Sequence, residues 1–492
     1  MTTIRALEFF SGIGGLHFGF NASGANGQVL ESFDMNQQAN DTYKLSFGKS
    51  PVSRGIDRLM VKDIEKYSAN CWLMSPPCQP YTRGGKLMDD QDNRAKPLLH
   101  LLDQLEKMTT PPQYLFLENV KNFEVRHQDG FELASYVSLV TLLHKMGYVF
   151  RECLLAPYNF GVPNDRLRYF LMARLRSSFD TNTTASSTMN SSSASILKKF
   201  DPEAETIYTT WPLPAFVEDP QKSLQQHPFC IPELQKFMDE NENDGNDYLL
   251  SHQLILERPN FRFDILQPSS TRSACFTKAY GSHHVAGGGS LLQTQKMDQL
   301  EYDFSNSESI VDLGLRFLTP TEIARIHVFP LDERHGSPNP FEITSSTDNA
   351  KSGSGHSAGD SLTTIRPFNP RLAQEPKGPF LRFPDKLKAL QRYKLLGNSL
   401  NVWVVAELLR GVLFAEHPGA PRPEYQPTNS HSESSSESNT QNPVTGSSNN
   451  AESSNGEKHD MTISEEGQSD KVQDDPQGGN STSRETKRAR VD

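Results

Sequence analysis

The run from Ile4 to Phe10 is broken at once by Ser11-Gly-Ile-Gly-Gly15 and then by a helical pattern from Leu16 to Ala22. This unit of strand, glycine turn and helix constrains the chain more than any other feature in it. The same alternation continues downstream. Val29 to Phe33 reads as a second strand ending at Asp34, and Trp72 to Met74 as another ending at Ser75-Pro-Pro-Cys78. Leu98 to Leu105 reads as an apolar-faced helix, and Tyr114 to Leu117 as a strand terminated by Glu118-Asn119-Val120. Tyr169 to Ala173 follows Arg166-Leu-Arg168 as a further strand. Strands alternating with helices predict an α/β fold with a doubly wound parallel sheet, whose ligands sit beyond the carboxyl ends of the strands. A last helix over Asn401 to Ala415 places Val402, Val405, Leu408, Leu409 and Val412 on one face, which should pack on the sheet.

Only 35% of the 492 residues are hydrophobic, low for a chain that packs along its whole length. Three stretches are deficient in apolar residues and are expected to be disordered: 177–199, rich in Ser and Thr; 335–378, mixing Ser, Gly and Pro; and the acidic tail 417–492. Between them the organisation reads as a first part of the core at 1–176, a smaller region at 200–282, a return to the core at 283–334 and a final core segment at 379–416. The net charge of -11 is uneven. Residues 417–492 hold 7 basic and 13 acidic residues and 201–257 hold 2 and 12, which leaves a body of charge +5 that is compatible with a polyanionic partner without indicating one.

Five cysteines, Cys71, Cys78, Cys153, Cys230 and Cys275, are scattered with no paired spacing and no histidine placed as a zinc ligand, so neither disulfides nor a metal site is expected. Glu8 interrupts the apolar start too early for a signal peptide, and no apolar run reaches membrane-spanning length. A soluble protein of a reducing compartment follows, cytoplasmic, nuclear or both. The short basic cluster Thr486-Lys-Arg-Ala-Arg490 is a candidate nuclear import signal.

Three strand ends carry chemistry. Ser11 to Gly15, followed about 20 residues later by Asp34, fits a nucleoside site in which glycines admit a cofactor to the backbone and the acid holds a ribose diol. A nicotinamide site, or a tight turn beside a solvated acid, satisfies the same residues. Pro76 and Pro77 stiffen the loop that displays Cys78, although a cysteine in isolation is as well explained as a small core residue. Glu118 emerges at the same edge of the sheet, where an acid near a helix start is also common. Their convergence on one crevice brings together a thiol, a carboxylate and a nucleoside cradle.

From Leu7 to Leu413, the disordered inserts excluded, the chain resembles the cytosine-5 methyltransferase family. Phe10-Ser11-Gly12-Ile13-Gly14-Gly15 is similar to its cofactor loop, Pro76-Pro77-Cys78-Gln79 to its nucleophile loop and Glu118-Asn119-Val120 to its acid motif. Arg166-Leu167-Arg168 resembles its paired-arginine motif and Gly397-Asn398-Ser399 its final cofactor motif, all in the family's order. Within the family the chain is most similar to the eukaryotic tRNA-aspartate methyltransferases, historically grouped with DNA methyltransferases. That likeness rests on Ser75 to Arg83, on Cys275-Phe276-Thr277-Lys278 with Tyr280-Gly281-Ser282, and on Leu395 to Val402. Tyr81 stands where the family has Phe, and the inserts after Ser177 and His335 and the acidic tail depart from its pattern.

The resemblance implies an S-adenosylmethionine-dependent methyltransferase sheet, with 200–282 as its target-recognition region. It implies methyl transfer to carbon 5 of cytosine in RNA, specifically cytosine 38 in the anticodon loop of tRNA-Asp. Cys78 is the implied nucleophile, and Glu118, Arg166 and Arg168 the other catalytic residues. Arg166, Arg168 or Arg83 would supply the positive potential that favours a thiolate. The cofactor would take Phe10, Ser11, Gly12, Ile13, Gly14, Gly15, Pro76, Asn398 and Ser399, with its ribose on Asp34 and its adenine beside Met35, Ile56 and Asp57. Gln79, Arg83, Asn119, Arg272, Cys275, Phe276 and Thr277 would face the tRNA. A DNA cytosine-5 methyltransferase is the competing enzyme. A catalytically silent binding relative is disfavoured by the presence of Cys78 and Glu118, and a nicotinamide oxidoreductase gives Pro-Pro-Cys-Gln no role.

Overall fold

The computed structural model describes residues 3–77, 95–124, 134–179, 207–213, 231–239, 247–282, 288–332 and 378–415, all within one compact unit, Met1–Gln426. Its principal strands are β1 (Ile4–Phe9), β2 (Gly27–Phe33), β3 (Cys71–Met74), β4 (Tyr114–Val120), β5 (Tyr148–Leu155), β6 (Arg168–Leu175) and β7 (Ile207–Tyr208), in the sheet order β2-β1-β3-β4-β6-β5-β7. Side chains alternate across this sheet with the strand period of two. Ile4, Ala6, Cys71, Leu73, Phe116 and Phe170 enter one apolar cluster. Leu7, Phe9, Trp72, Met74, Leu115 and Leu171 enter another on the opposite face.

The helices before the middle of the chain are α1 (Gly15–Ser23), α2 (Gln37–Phe47), α3 (Val61–Glu65), α4 (Lys96–Lys107) and α5 (Ala134–Lys145). α1 joins the first cluster together with the late helix Val402–Leu408, and the two approach closely because Gly19 has no side chain: a β-carbon there would stand 2.5 Å from Val405 Cγ1. α4 and α5 supply Leu98, Leu101, Leu105, Leu139 and Leu143 to the second cluster. Burying both faces is what a parallel sheet requires. The expected final helix is present as Val402–Leu408 followed by a wider turn at Leu409–Leu413, with all five expected core residues buried.

The parallel pattern holds over β2, β1, β3 and β4 and then breaks. β6 is antiparallel to both β4 and β5. Between β5 and β6 the chain makes only a short 3-10 turn, Pro157–Phe160, and an antiparallel return needs no crossover helix. A smaller sheet of β8 (Ile265–Leu266), β9 (Leu291–Leu292) and β10 (Arg316–Phe317) has the order β10-β9-β8. It packs with Leu250, Ile255, Phe263, Ile310 and Leu313. β8 comes from the stretch expected as the target-recognition region, β9 and β10 from the expected return to the core. The expected inserts and tail lie outside the described residues, except for the 3-10 turn Arg176–Phe179 and Gly378.

Candidate active site

β1 ends at Phe9, and Phe10 follows with φ of 58°, a conformation that side-chain-bearing residues seldom adopt. Gly12 (φ 53°) and Gly14 (φ 88°) continue the turn. A β-carbon on Gly12 would meet nothing within 4 Å among the described residues, which leave the outer side of the loop open. On its inner side Gly15 lies against the last motif, where a β-carbon would stand 2.9 Å from Ser399 Oγ. Asp34, just past β2, holds this loop: Oδ2 accepts from the Gly12 N–H at 2.8 Å and Oδ1 from the Asn36 N–H at 2.7 Å. Burial raises the Asp34 carboxyl above its ordinary value, and the N–H donors of Asn36, Gly12 and Met35 act against that rise. Nearby, Met35 is 71% exposed, an uncovered apolar surface. A β-carbon on Gly55 would stand 2.4 Å from Asp57 Oδ1 and 3.5 Å from Met35 Sδ, so those two side chains flank one small space, with Ile56 buried beside it.

Glu118 and Asn119 belong to β4 itself instead of following it, paired in register with Phe170 and Tyr169. Glu118 is nearly buried, and both its oxygens are engaged. Ser75 Oγ donates to Oε2 at 2.8 Å, and Arg168 Nε lies 3.4 Å from Oε1. Because β6 is antiparallel, its first residue, Arg168, faces Val120, the last residue of β4. The expected strand entrance is therefore at the carboxyl edge of β4, where Glu118 emerges. Ser75 reaches Glu118 because it stands directly after β3, a role that its place in the sequence motif does not reveal.

Arg166 is used differently. Its guanidinium donates to the carbonyls of Phe276 (2.9 Å), Gly397 (2.9 Å) and Ser399, and to Cys275 Sγ at 3.3 Å. It ties the 275–276 segment to the final motif. The two segments touch directly, since a β-carbon on Gly397 would stand 2.2 Å from the Thr277 carbonyl carbon. Burial pushes the half-buried Cys275 thiol up, but the charges and hydrogen bonds of Arg166 and Arg168 outweigh it and leave the thiol below its ordinary value. Phe276 is buried, while Thr277 is half-buried with Oγ1 accepting from the Ala279 N–H. Pro76 is buried and Asn398 exposed.

Arg272 is exposed, pairs with Asp165 and lies over the Tyr158 ring at 5.2 Å. Cys78, Gln79 and Arg83 lie outside the described residues, which resume at 95. The described end of their loop, Pro77, is two residues beyond Ser75 and its bond to Glu118.

An open glycine turn, an acid that closes it and an uncovered apolar flank, gathered at the carboxyl edge of a covered α/β sheet, are the marks of an enzyme that binds a nucleoside cofactor. The cofactor fits this chain's own atoms. Among the described residues Ser11 Oγ is buried without a hydrogen-bond partner and is left to be satisfied by a polar ligand.

A family model described as C-5 cytosine-specific DNA methylase matches residues 4–364. The chain is 32% identical over 421 residues to a DNA (cytosine-5)-methyltransferase of Dictyostelium discoideum, covering 83% of this chain and 94% of that protein. It is 32% identical over 445 residues to a tRNA (cytosine(38)-C(5))-methyltransferase of Mus musculus, covering 83% and 93%. The crystal structure of the S. pombe Dnmt2 methyltransferase superposes with a TM-score of 0.55 at 25% identity, covering 84% of this chain and 98% of that one. The chain belongs to the C-5 cytosine methyltransferase family, whose methyl donor is S-adenosylmethionine.

Proposed function

We propose that this enzyme methylates carbon 5 of cytosine 38 in the anticodon loop of tRNA-Asp, with Cys78 as its covalent nucleophile. The observation that carries the chemistry is the Ser75–Glu118–Arg168 cluster, which holds a carboxylate beside the start of the Cys78 loop. Carbon 5 of cytosine is a poor nucleophile. Addition of the Cys78 thiolate to carbon 6 pushes electrons onto the ring and makes carbon 5 an enamine carbon. Glu118 stabilises that change by accepting hydrogen bonds from the exocyclic amine and from ring N3 after N3 takes up a proton from solvent as the adduct forms, which also reads the base as cytosine. Arg168 and Ser75 fix the carboxylate for this task. Phe10 to Gly15, Asp34, Met35, Ile56, Asp57, Pro76, Asn398 and Ser399 hold the cofactor, which when bound supplies an electrophilic methyl group. Once carbon 5 carries the methyl group, its proton passes to a solvent base, the N3 proton returns to solvent, and elimination of the Cys78 thiolate restores the aromatic ring.

The choice of RNA rests on three supports. The mouse relative is named for cytosine 38 of tRNA. A hairpin loop also presents a base that is already unstacked, so extruding it requires less disruption than a duplex demands. A body of charge +5 outside the acidic stretches suits a small structured RNA better than non-specific clamping of duplex DNA. The name of the Dictyostelium relative keeps duplex DNA as the second reading. Labelled methyl incorporation into matched tRNA-Asp and duplex DNA, with bisulfite mapping of the RNA, separates them. Modification at position 38, faster than on DNA, is expected. Faster DNA modification, or a tRNA site outside the anticodon loop, overturns the assignment.

A further inference from the structure

Glu8 is fully buried in β1, and the methyl-transfer chemistry gives it no part. Its Oε1 accepts from the backbone N–H of His17 at 3.0 Å, and the carboxyl also hydrogen-bonds that of Leu16. Gly14, at the start of α1, has no side chain to cap the helix, so Glu8 does so from the sheet. The Glu8 Oε2 and Tyr43 Oη oxygens are 3.0 Å apart, and Tyr43 Oη is 2.6 Å from His17 Nδ1. The His17 ring lies flat on Phe47, with centroids 4.0 Å apart. Phe47 and Tyr43 back the cofactor loop: a β-carbon on Gly14 would stand 2.4 Å from Phe47 and 3.0 Å from Tyr43. One carboxyl thus joins β1, the start of α1 and α2 directly behind Gly12 to Gly15.

The protonation of this chain is set by burial. Burial raises Glu8 to about 8, reinforced by the charge of Asp34 and opposed by the hydrogen bonds from Tyr43, His17 and Leu16. Burial lowers His17 to about 3, and burial together with the charges of Glu8 and Glu31 lifts Tyr43, which Ser32 also faces. At neutral pH the chain therefore holds a carboxylic acid and a neutral imidazole. The acid O–H donates to Tyr43, Tyr43 donates to His17 Nδ1, and Oε1 is left to accept from α1. Each group is satisfied without a buried charge. Loss of the Glu8 proton leaves a carboxylate in the core beside Asp34 and reverses the chain, since Tyr43 must then donate to Glu8 and His17 must carry its proton on Nδ1.

We propose that Glu8 is a positioning residue for the cofactor loop, holding Gly12 to Gly15 in binding shape through the Glu8–Tyr43–His17 chain while that chain keeps its proton, and releasing the loop on ionisation. The inference rests on the reading of Phe10 to Gly15 and Asp34 as the cofactor site.

Titration calorimetry of the full chain with S-adenosylhomocysteine, across pH 7 to 9, tests it. If the ionised form does not bind, one proton with a pKa of about 8 makes wild-type affinity about tenfold weaker at pH 9 than at pH 7. In Glu8→Gln the amide donates to Tyr43 and its carbonyl accepts from α1 at every pH. That variant should lose only what the ligand's own titration removes, a loss shared with the wild type. In Tyr43→Phe the carboxylate loses a donor, so the midpoint of the decline should move to higher pH. A Glu8→Gln profile that parallels the wild type overturns the proposal. If Glu8→Gln does not fold, an unmoved midpoint in Tyr43→Phe overturns it instead. Asp34→Ala separates the two levels: unchanged affinity in that variant would contradict the cofactor site itself, whatever the Glu8 profile shows.

Discussion

Arg168 reaches Glu118, Nε to Oε1 at 3.4 Å, because β6 runs against β4. Arg168 is the first residue of β6, and an antiparallel strand begins where its neighbour ends. A parallel β6 would have started at the opposite edge of the sheet. The reversal of β6 within the seven-stranded sheet is thus what brings an arginine to the acid.

Glu118→Gln should reduce turnover by about 2 to 4 kcal/mol of transition-state stabilisation, roughly thirty- to one thousandfold. Affinity for S-adenosylhomocysteine should barely change, because Ser75 and Arg168 are the partners of Glu118 and the cofactor loop is not. Single-turnover kinetics with calorimetry checks both. Weakened cofactor binding with unchanged turnover would give Glu118 the wrong role.

Arg166→Lys should destabilise the fold by about 3 kcal/mol in denaturant unfolding, since an ammonium cannot serve the carbonyls of Phe276, Gly397 and Ser399 together. Arg272→Ala removes an exposed pair with Asp165 and should change stability by less than about 1 kcal/mol. Equal effects would contradict the tie assigned to Arg166.

Val328 has φ of 58°, in the left-handed region where a β-branched side chain is strained. Val328→Gly should raise stability by about 0.5 to 1 kcal/mol, the relieved strain exceeding the added chain entropy. A lower unfolding midpoint would show that Val328 packing outweighs its backbone strain.

Glu8 also makes stability depend on pH. Its folded pKa of about 8 lies above the ordinary 4.5, so the folded state retains a proton that the unfolded chain has lost. Stability from this group is intact below about pH 4.5 and declines as pH rises to about 8. The melting-temperature gap between Glu8→Gln and wild type should therefore widen over that window in favour of the variant and stay level above it. His17, lowered to about 3, acts in the other direction as pH falls below its ordinary 6.5, and the variant comparison cancels it.

The sheet's parallel half was legible because β1, β3 and β4 are short, mostly apolar runs ended by marked residues. β5 was not, since Arg151 and Glu152 interrupt its pattern; both are buried, and Glu152 accepts from the hydroxyls of Tyr136 and Tyr169. The places of Asp34 and Glu118 follow from strand ends. The separate duties of Arg166 and Arg168 do not, because two residues of spacing place them on one strand entrance without saying that one turns to a carboxylate and the other to three carbonyls. Glu8 read only as an interruption of an apolar run. Its contacts with His17 and Tyr43 depend on how α1 and α2 pack against β1.

The most direct test of covalent cytosine chemistry is a trapping assay. A tRNA-Asp transcript carrying 5-fluorocytosine at position 38 is incubated with the full-length protein and S-adenosylmethionine, then resolved on a denaturing gel. Fluorine in place of the carbon 5 proton blocks the elimination that would release Cys78. A denaturant-stable protein–RNA band with the wild type, absent with Cys78→Ala, is the predicted result. A band of equal strength with Cys78→Ala, or no band from a wild-type preparation that methylates the cytosine-38 transcript, would contradict the mechanism.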